Sequence, residues 1–92
     1  MIIQTPITIT IQLYGVFRRY LDGKQAQFSV SSPATLSDII QGFAVLLKKH
    51  HPDFDAQLLT QSVFANDVAL LSADEVFEQD TQLSILPPVC GG

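Results

Sequence analysis

Charged residues are scarce in this sequence, and the basic ones are fewer than the acidic ones. Lys, Arg, Asp and Glu together make up 15% of the chain, whereas about a quarter is usual in globular proteins. Five basic residues against nine acidic ones argue against nucleic-acid binding, because phosphate contacts need clustered Lys and Arg. The net charge of −4 instead favours a partner with a basic docking surface.

Cysteine and long apolar runs are also lacking. One cysteine excludes an intramolecular disulfide framework and a cysteine-based zinc cluster, and it favours a reducing, cytoplasmic compartment. No apolar run approaches the ~20 residues of a membrane span, and the opening MIIQTPITIT lacks the features of a signal peptide. The pair His50-His51 has no accompanying ligands in the sequence. We therefore expect no membrane insertion, no metal site and no bound cofactor.

The chain is long enough for one domain with a modest core, since it has 92 residues of which 47% are apolar. Apolar and polar residues alternate with a period of two in ITITIQL (7–13) and QAQFSVS (25–31). This pattern predicts two half-buried strands, and their closeness in sequence favours an antiparallel pair. The intervening GVFRRYLDGK (15–24) is predicted to be a linker that closes with a turn at Asp22-Gly23.

The period changes to that of an amphipathic helix in the next segment, where apolar residues recur at Leu36, Ile39, Ile40, Phe43 and Leu47. Thr35 and Asp38 have the spacing of a capping box, with Asp in place of Glu, so the helix should begin there. Pro52 disfavours helical geometry at the preceding residue, which predicts an end near His50. The sequence offers no reason for Gly42 in the middle of this helix beyond close packing.

The last third contains short elements. FDAQLLTQ (54–61) allows a single helical turn, and SVFANDVALL (62–71) a short strand followed by a tight turn at Asn66-Asp67. SADEVFEQDTQ (72–82) is predicted to be an acidic loop with a turn at Gln79-Asp80. The final strand, in QLSILPPV (82–89), must end by Pro87, which has no amide hydrogen for strand pairing.

These elements predict an α+β domain, in which a mixed sheet of four to five strands packs on one main helix. A first and a last strand lying side by side at the centre would make it a β-grasp fold. The predicted division is a domain over residues 1–86 and an extended C-terminal functional tail over residues 87–92.

The tail, PPVCGG, is stiff at its start and slender at its end, which is unusual for a frayed terminus. Pro87 and Pro88 favour a stiff, extended backbone, and Gly91 and Gly92 lack a Cβ and fit a narrow channel. From these residues alone, this order could be incidental or could serve a function. Two functional interpretations of the thiol of Cys90 remain open: an idle replacement for a small hydroxyl, which we favour, or thiol chemistry near the terminus.

The C-terminal third, VFANDVALLSADEVFEQDTQLSILPPVCGG, resembles the ubiquitin-like sulfur carriers of the MoaD/ThiS family, and LSILPPVCGG resembles the tail of the MoaD branch. Weaker similarity extends over LYGVFRRYLDG, PATLSDII and FANDV. Three features depart from the family pattern. Cys90 stands where Ser, Thr or Ala is common, Gln79-Asp80 replaces Gly-Asp, and Asn66-Asp67 replaces Asn-Gly.

The resemblance implies that Gly92 is the reacting residue. A ubiquitin-activating-type (MoeB-like) enzyme would use ATP to adenylate its carboxylate, which would become a thiocarboxylate. The sulfur would pass to a pterin precursor in the large (MoaE-like) subunit of molybdopterin synthase. In this scheme the chain is not catalytic alone. Residues expected to thread the partner's active site are Pro87, Pro88, Val89, Cys90 and Gly91; Leu86 and Phe64, and also Phe17, are expected in the core or in partner contacts.

Two other functions use the same activated terminus. The first is a ubiquitin-like protein modifier, in which Gly92 forms an isopeptide bond with target lysines. The second is a sulfur carrier for thiamine or another thio-metabolite. The Pro-Pro-Val sequence favours the molybdopterin branch, but Gly-Gly alone does not separate the three.

Overall fold

The computed structural model describes residues 5–21 and 23–88. Its elements along the chain are β1 (Pro6–Leu13), α1 (Val16–Leu21), β2 (Gln25–Ser31), β3 (Ala34–Thr35), α2 (Leu36–His50), α3 (Gln57–Thr60), β4 (Val63–Ala65), β5 (Val76–Phe77) and β6 (Thr81–Leu86). The predicted α+β architecture, a mixed sheet with one main helix, is confirmed.

The main sheet has the strand order β2-β1-β6-β4. Strand β1 pairs antiparallel with β2 and parallel with β6, while β4 pairs antiparallel with β6. The first and last strands therefore lie side by side at the centre, as predicted. A separate two-stranded sheet joins β3 to β5.

The core lies between one face of this sheet and α2. The apolar set of the two central strands is buried, and so is the stripe of α2: Ile7, Ile9, Ile11, Leu13, Leu83 and Ile85 from the strands, and Leu36, Ile39, Phe43 and Leu47 from the helix. The Phe43 ring lies 6.1 Å from that of Phe17 and stacks at 6.2 Å on that of Phe28, centroid to centroid. Both predicted periodicities thus describe buried faces correctly.

The predicted start of α2 is confirmed in detail. The Thr35 side chain accepts a hydrogen bond from the Asp38 amide at 3.1 Å, and the Asp38 carboxylate accepts one from the Thr35 amide at 3.0 Å. Gly42 faces β2, where an added Cβ would stand 3.1 Å from a ring carbon of Phe28. Close packing against this ring therefore explains the glycine.

Two segments differ from their predictions. The predicted linker contains α1, whose Phe17 is fully buried, and the predicted acidic loop contains β5. Each element is too short to display a period, and each is stabilised by tertiary contacts. The turn after β4 is confirmed, because the Asn66 side-chain oxygen accepts hydrogen bonds from the amides of Val68 and Ala69, both at 2.9 Å. Asp22, in the predicted turn at Asp22-Gly23, lies outside the described residues.

In the described ranges, no helix is long and apolar enough to cross a membrane.

Candidate functional site

The root of the tail is the end of the central strand β6. Leu13 pairs with Ile85 in the parallel ladder, and Val63 pairs with Leu86 on the other side. Ile85 is therefore held between β1 and β4, and Leu86 is held by β4. Because prolines cannot donate to a ladder, Pro87 and Pro88 lead the chain away from the sheet at a position fixed by the fold.

Gly15 lies against this root. Its φ is +59°, a left-handed conformation that glycine adopts without a steric penalty. A Cβ at this position would stand 2.9 Å from Cγ of Pro87. The turn after β1 therefore needs a glycine for its own geometry and for the room that the proline ring occupies.

An apolar patch borders the root on the outer face of the sheet. Tyr14, Val63 and Leu86 are 41%, 40% and 40% exposed. Val63 and Leu86 are each next to a buried residue of their strand, Phe64 and Ile85, so alternation places both on the face opposite α2. Tyr14 directly follows Leu13, the last residue of β1. We call these three residues the exit patch.

An open groove borders the root on its other side. It has a volume of about 420 Å³ and is lined by Gly15, Val16, Tyr20, Leu58, Pro87 and Pro88. Its walls come from α1, α3 and the tail itself, and they are mostly apolar. We call it the exit groove. Together with the exit patch it surrounds the tail root with apolar surface, which suits a docking site.

Arg18 ties α1 to the end of β1. Its Nε donates a hydrogen bond to the carbonyl oxygen of Leu13 at 2.8 Å, and its guanidinium carbon lies 5.5 Å from the centre of the Tyr14 ring. A cation at this distance from a tyrosine ring is attracted to the face of the ring. The side chain therefore holds the turn that carries Gly15, and it places a positive charge beside the tail root.

The structure divides the predicted partner residues into exposed residues and core residues. Leu86 is exposed at the root and belongs to the exit patch. Phe64 is only 3% exposed and Phe17 is fully buried, so both side chains belong to the core. The expected partner contact of Phe64 is therefore corrected, because β4 turns this ring inward. Of the tail, Pro87 and Pro88 are half-buried at the groove, while Val89, Cys90, Gly91 and Gly92 lie outside the described residues.

Sequence reasoning missed Gly15, Tyr14, Tyr20 and Leu58 at this site. The signal was a glycine directly after a strand, which marks a turn but does not reveal its contact with Pro87. The histidine pair lies at the end of α2, where the His51 ring packs edge-on against Tyr20 at 5.2 Å. Within residues 5–21 and 23–88 there is no group of three or more His, Cys, Asp or Glu that could hold a metal ion.

The strand order, the single main helix and the central parallel pair define a ubiquitin-like β-grasp fold. SAMP1 from Haloferax volcanii has this fold at a TM-score of 0.70, with 16% identity over 92% of this chain and 99% of that one. A Pyrococcus furiosus protein, provisionally described as molybdopterin converting factor subunit 1, gives a TM-score of 0.67, with 18% identity over 90% and 99%.

A third solved structure, the HVO 2177 protein from Haloferax volcanii, gives a TM-score of 0.69, with 16% identity over 95% of this chain and 88% of that one. No protein-family profile matches the sequence, and no curated protein sequence does. At these identities the likeness establishes the fold.

Proposed function

We propose that this protein is a sulfur carrier of the MoaD type, which delivers sulfur from a thiocarboxylate at Gly92 to a pterin precursor in molybdopterin biosynthesis. The observation that carries the proposal is the tail root. A ubiquitin-like domain holds its central strand up to Leu86, and a Pro-Pro-Val-Cys-Gly-Gly segment follows from a position surrounded by apolar surface. The P. furiosus neighbour, by its description, supports the molybdopterin branch.

The chemistry suits this arrangement because a free carboxylate is a poor electrophile. In the proposed cycle, a carboxylate oxygen of Gly92 attacks the α-phosphate of ATP and pyrophosphate leaves. A sulfur donor then displaces AMP, so that sulfur replaces one oxygen. The domain supplies the reacting atom, and its partners supply the catalytic groups.

The proposal names two partners: a ubiquitin-activating-type (MoeB-like) enzyme that adenylates Gly92, and a MoaE-like large subunit that accepts the tail during sulfur transfer. The exit patch and exit groove would dock on both in turn. A stiff tail root lowers the ordering cost of each docking step, because Pro87 already packs against Gly15 and both prolines are half-buried in the exit groove.

A protein modifier is the second candidate, and the likeness to SAMP1, a small archaeal modifier protein by its description, favours it. In that case Gly92 would form an isopeptide bond with lysine side chains of other proteins. The domain and the activation step would be the same, and the acceptor alone would differ.

Intact mass spectrometry of the protein purified from its host tests the proposal, which takes Gly92 as the residue with the free α-carboxylate. We expect a population heavier by the replacement of one oxygen by sulfur, and its loss when one alanine is appended after Gly92. Lysine peptides of other proteins carrying a Gly-Gly remnant, without the heavier species, would favour the modifier. The absence of both signals would refute activation at Gly92.

A further inference from the structure

The basic residues of this domain lie at one end, whereas most of its acidic residues lie at the other. All five basic residues of the chain lie at the end from which the tail emerges. Arg18 and Arg19 belong to α1, Lys24 precedes β2, and Lys48 and Lys49 lie in the last turn of α2. We call these five residues the basic rim.

Contacts of these residues or of their chain neighbours place the basic rim at the same end of the domain as the tail root. The Leu13 carbonyl accepts a hydrogen bond from Arg18, and the Leu13 amide donates one to the Lys24 carbonyl at 2.8 Å. The end of α2 is joined to α1 by the packing of Tyr20 on His51. Tyr20 in turn lines the exit groove with the tail prolines. The five basic residues therefore lie at the same end of the domain as the tail root, and the contacts of Arg18 place its charge directly beside the root.

The opposite end of the domain is acidic. The Asp80 carboxylate accepts a hydrogen bond at 2.8 Å from the amide of Thr8, near the start of β1, and the Glu75 carbonyl accepts one from the first residue of α2. Contacts place five of the nine acidic residues at this end, and they place no Lys or Arg there: Asp38, Asp74, Glu75, Glu78 and Asp80. Near the basic rim the described residues include two acidic ones, Asp53 and Asp55, and a third, Asp22, lies two positions before Lys24 in the sequence, so basic residues outnumber acidic ones there by five to three.

The distance between the two ends decides which charge a partner experiences. Strand β6 runs from Thr81, next to Asp80, to Leu86 at the tail root, which is about 17–20 Å for six residues. Charges are screened over about 8 Å at physiological salt. A protein approaching the tail therefore meets the positive basic rim, although the chain as a whole is negative.

We propose that the tail end docks on a protein surface that carries carboxylates around the mouth of the channel receiving the tail. The inference rests on the proposed function, since it concerns the partner that activates Gly92. The exit patch and exit groove form the apolar centre of this interface, and the basic rim forms its charged border, which is the usual division in protein interfaces. The expectation of a basic partner surface, drawn from net charge, is thereby reversed for this end of the molecule.

Adenylation by the ubiquitin-activating-type enzyme of the same organism tests the inference, with ATP–pyrophosphate exchange as the readout. The rim variant combines Arg19→Gln with Lys24→Gln. The control combines Ser37→Glu with Gln79→Glu, two exposed positions at the acidic end. Both variants change the net charge by the same amount. Urea unfolding checks that both remain folded.

Because complementary charges act mainly on association, kcat/KM of the rim variant should fall by roughly tenfold at low salt, and the difference should disappear at high salt. The control should match the wild type. Equal effects of the two variants, or wild-type adenylation that is insensitive to salt, would overturn the inference and leave the proposed function standing. A wild-type protein that is not adenylated at any salt concentration would overturn both.

Discussion

Gly15 allows Pro87, at the tail root, to pack closely against the turn after β1. Replacing it with alanine would force a left-handed conformation, at about 1–2 kcal/mol, and would press a methyl group against Pro87. We expect Gly15→Ala to lower the free energy of unfolding by roughly 2 kcal/mol, near the middle of the usual range for disruptive substitutions. Urea denaturation followed by circular dichroism measures this loss.

Gly23 provides the matched control, because its φ is not left-handed and an added Cβ would meet only backbone oxygens, at 3.7 and 3.9 Å. Gly23→Ala should therefore change the unfolding free energy by no more than about 0.5 kcal/mol. Equal losses at the two glycines would show that the contact with Pro87 has no special role.

Gly42 and Phe28 form a second pair of residues that should be coupled. Alanine in a helix is favoured over glycine by about 1 kcal/mol, but at position 42 its methyl group would press on the Phe28 ring. We expect Gly42→Ala to be nearly neutral in the wild type and stabilising by about 1 kcal/mol in a Phe28→Ala background. A double-mutant cycle in urea measures the coupling, and additive effects would contradict it.

Alternation of apolar and polar residues predicts which side chains point inward, but only in strands long enough to show several alternations. It identified Ile9 and Ile85 correctly, because each lies in a run of several alternating positions. Phe64 lies in a strand of three residues, which is too short for alternation to show which face of the sheet the ring occupies. Its burial depends on the pairing of β4 with β6, which no local pattern reveals.

At the scale of elements, the capping box sets where α2 begins. Thr35→Ala removes the acceptor for the Asp38 amide and should lower the unfolding free energy by about 1 kcal/mol. Thr35→Ser keeps the hydroxyl and should retain most of that stability. Chemical denaturation of the two variants measures the difference, and equal losses would mean that the hydroxyl is not the stabilising group.

The main helix could be predicted because cap, period and terminating proline agree, whereas α1 and β5 could not. Helix α1 has six residues and depends on Phe17 entering the core. Strand β5 has two residues and exists only through its pairing with β3. Such elements depend on contacts between distant segments, which a single sequence does not display.

For the whole molecule, the exit patch should decide how tightly partners bind. Leu86→Asp places a charge in the middle of it and should weaken binding of the activating enzyme by more than about 1 kcal/mol, a common threshold for important interface residues. Calorimetric titration measures the affinity. The control is Val68→Asp, which adds the same charge at a side chain that is 90% exposed in the turn after β4.

Unchanged affinity in folded Leu86→Asp would remove the exit patch from the docking surface. An equal loss in Val68→Asp would point to net charge rather than to position. Urea unfolding of both variants separates these outcomes from simple destabilisation of β6.

The fold also determines when the domain can form during its synthesis. The hydrogen bond between Thr8 and Asp80 joins residues 72 positions apart, and the central strand β6 is the last of the domain to leave the ribosome. A nascent chain therefore cannot complete its sheet until residue 86 has emerged, and contacts of such long range form slowly. An interrupted translation product would lack the central strand as well as the tail, so incomplete chains could not compete with finished ones for the proposed activating enzyme.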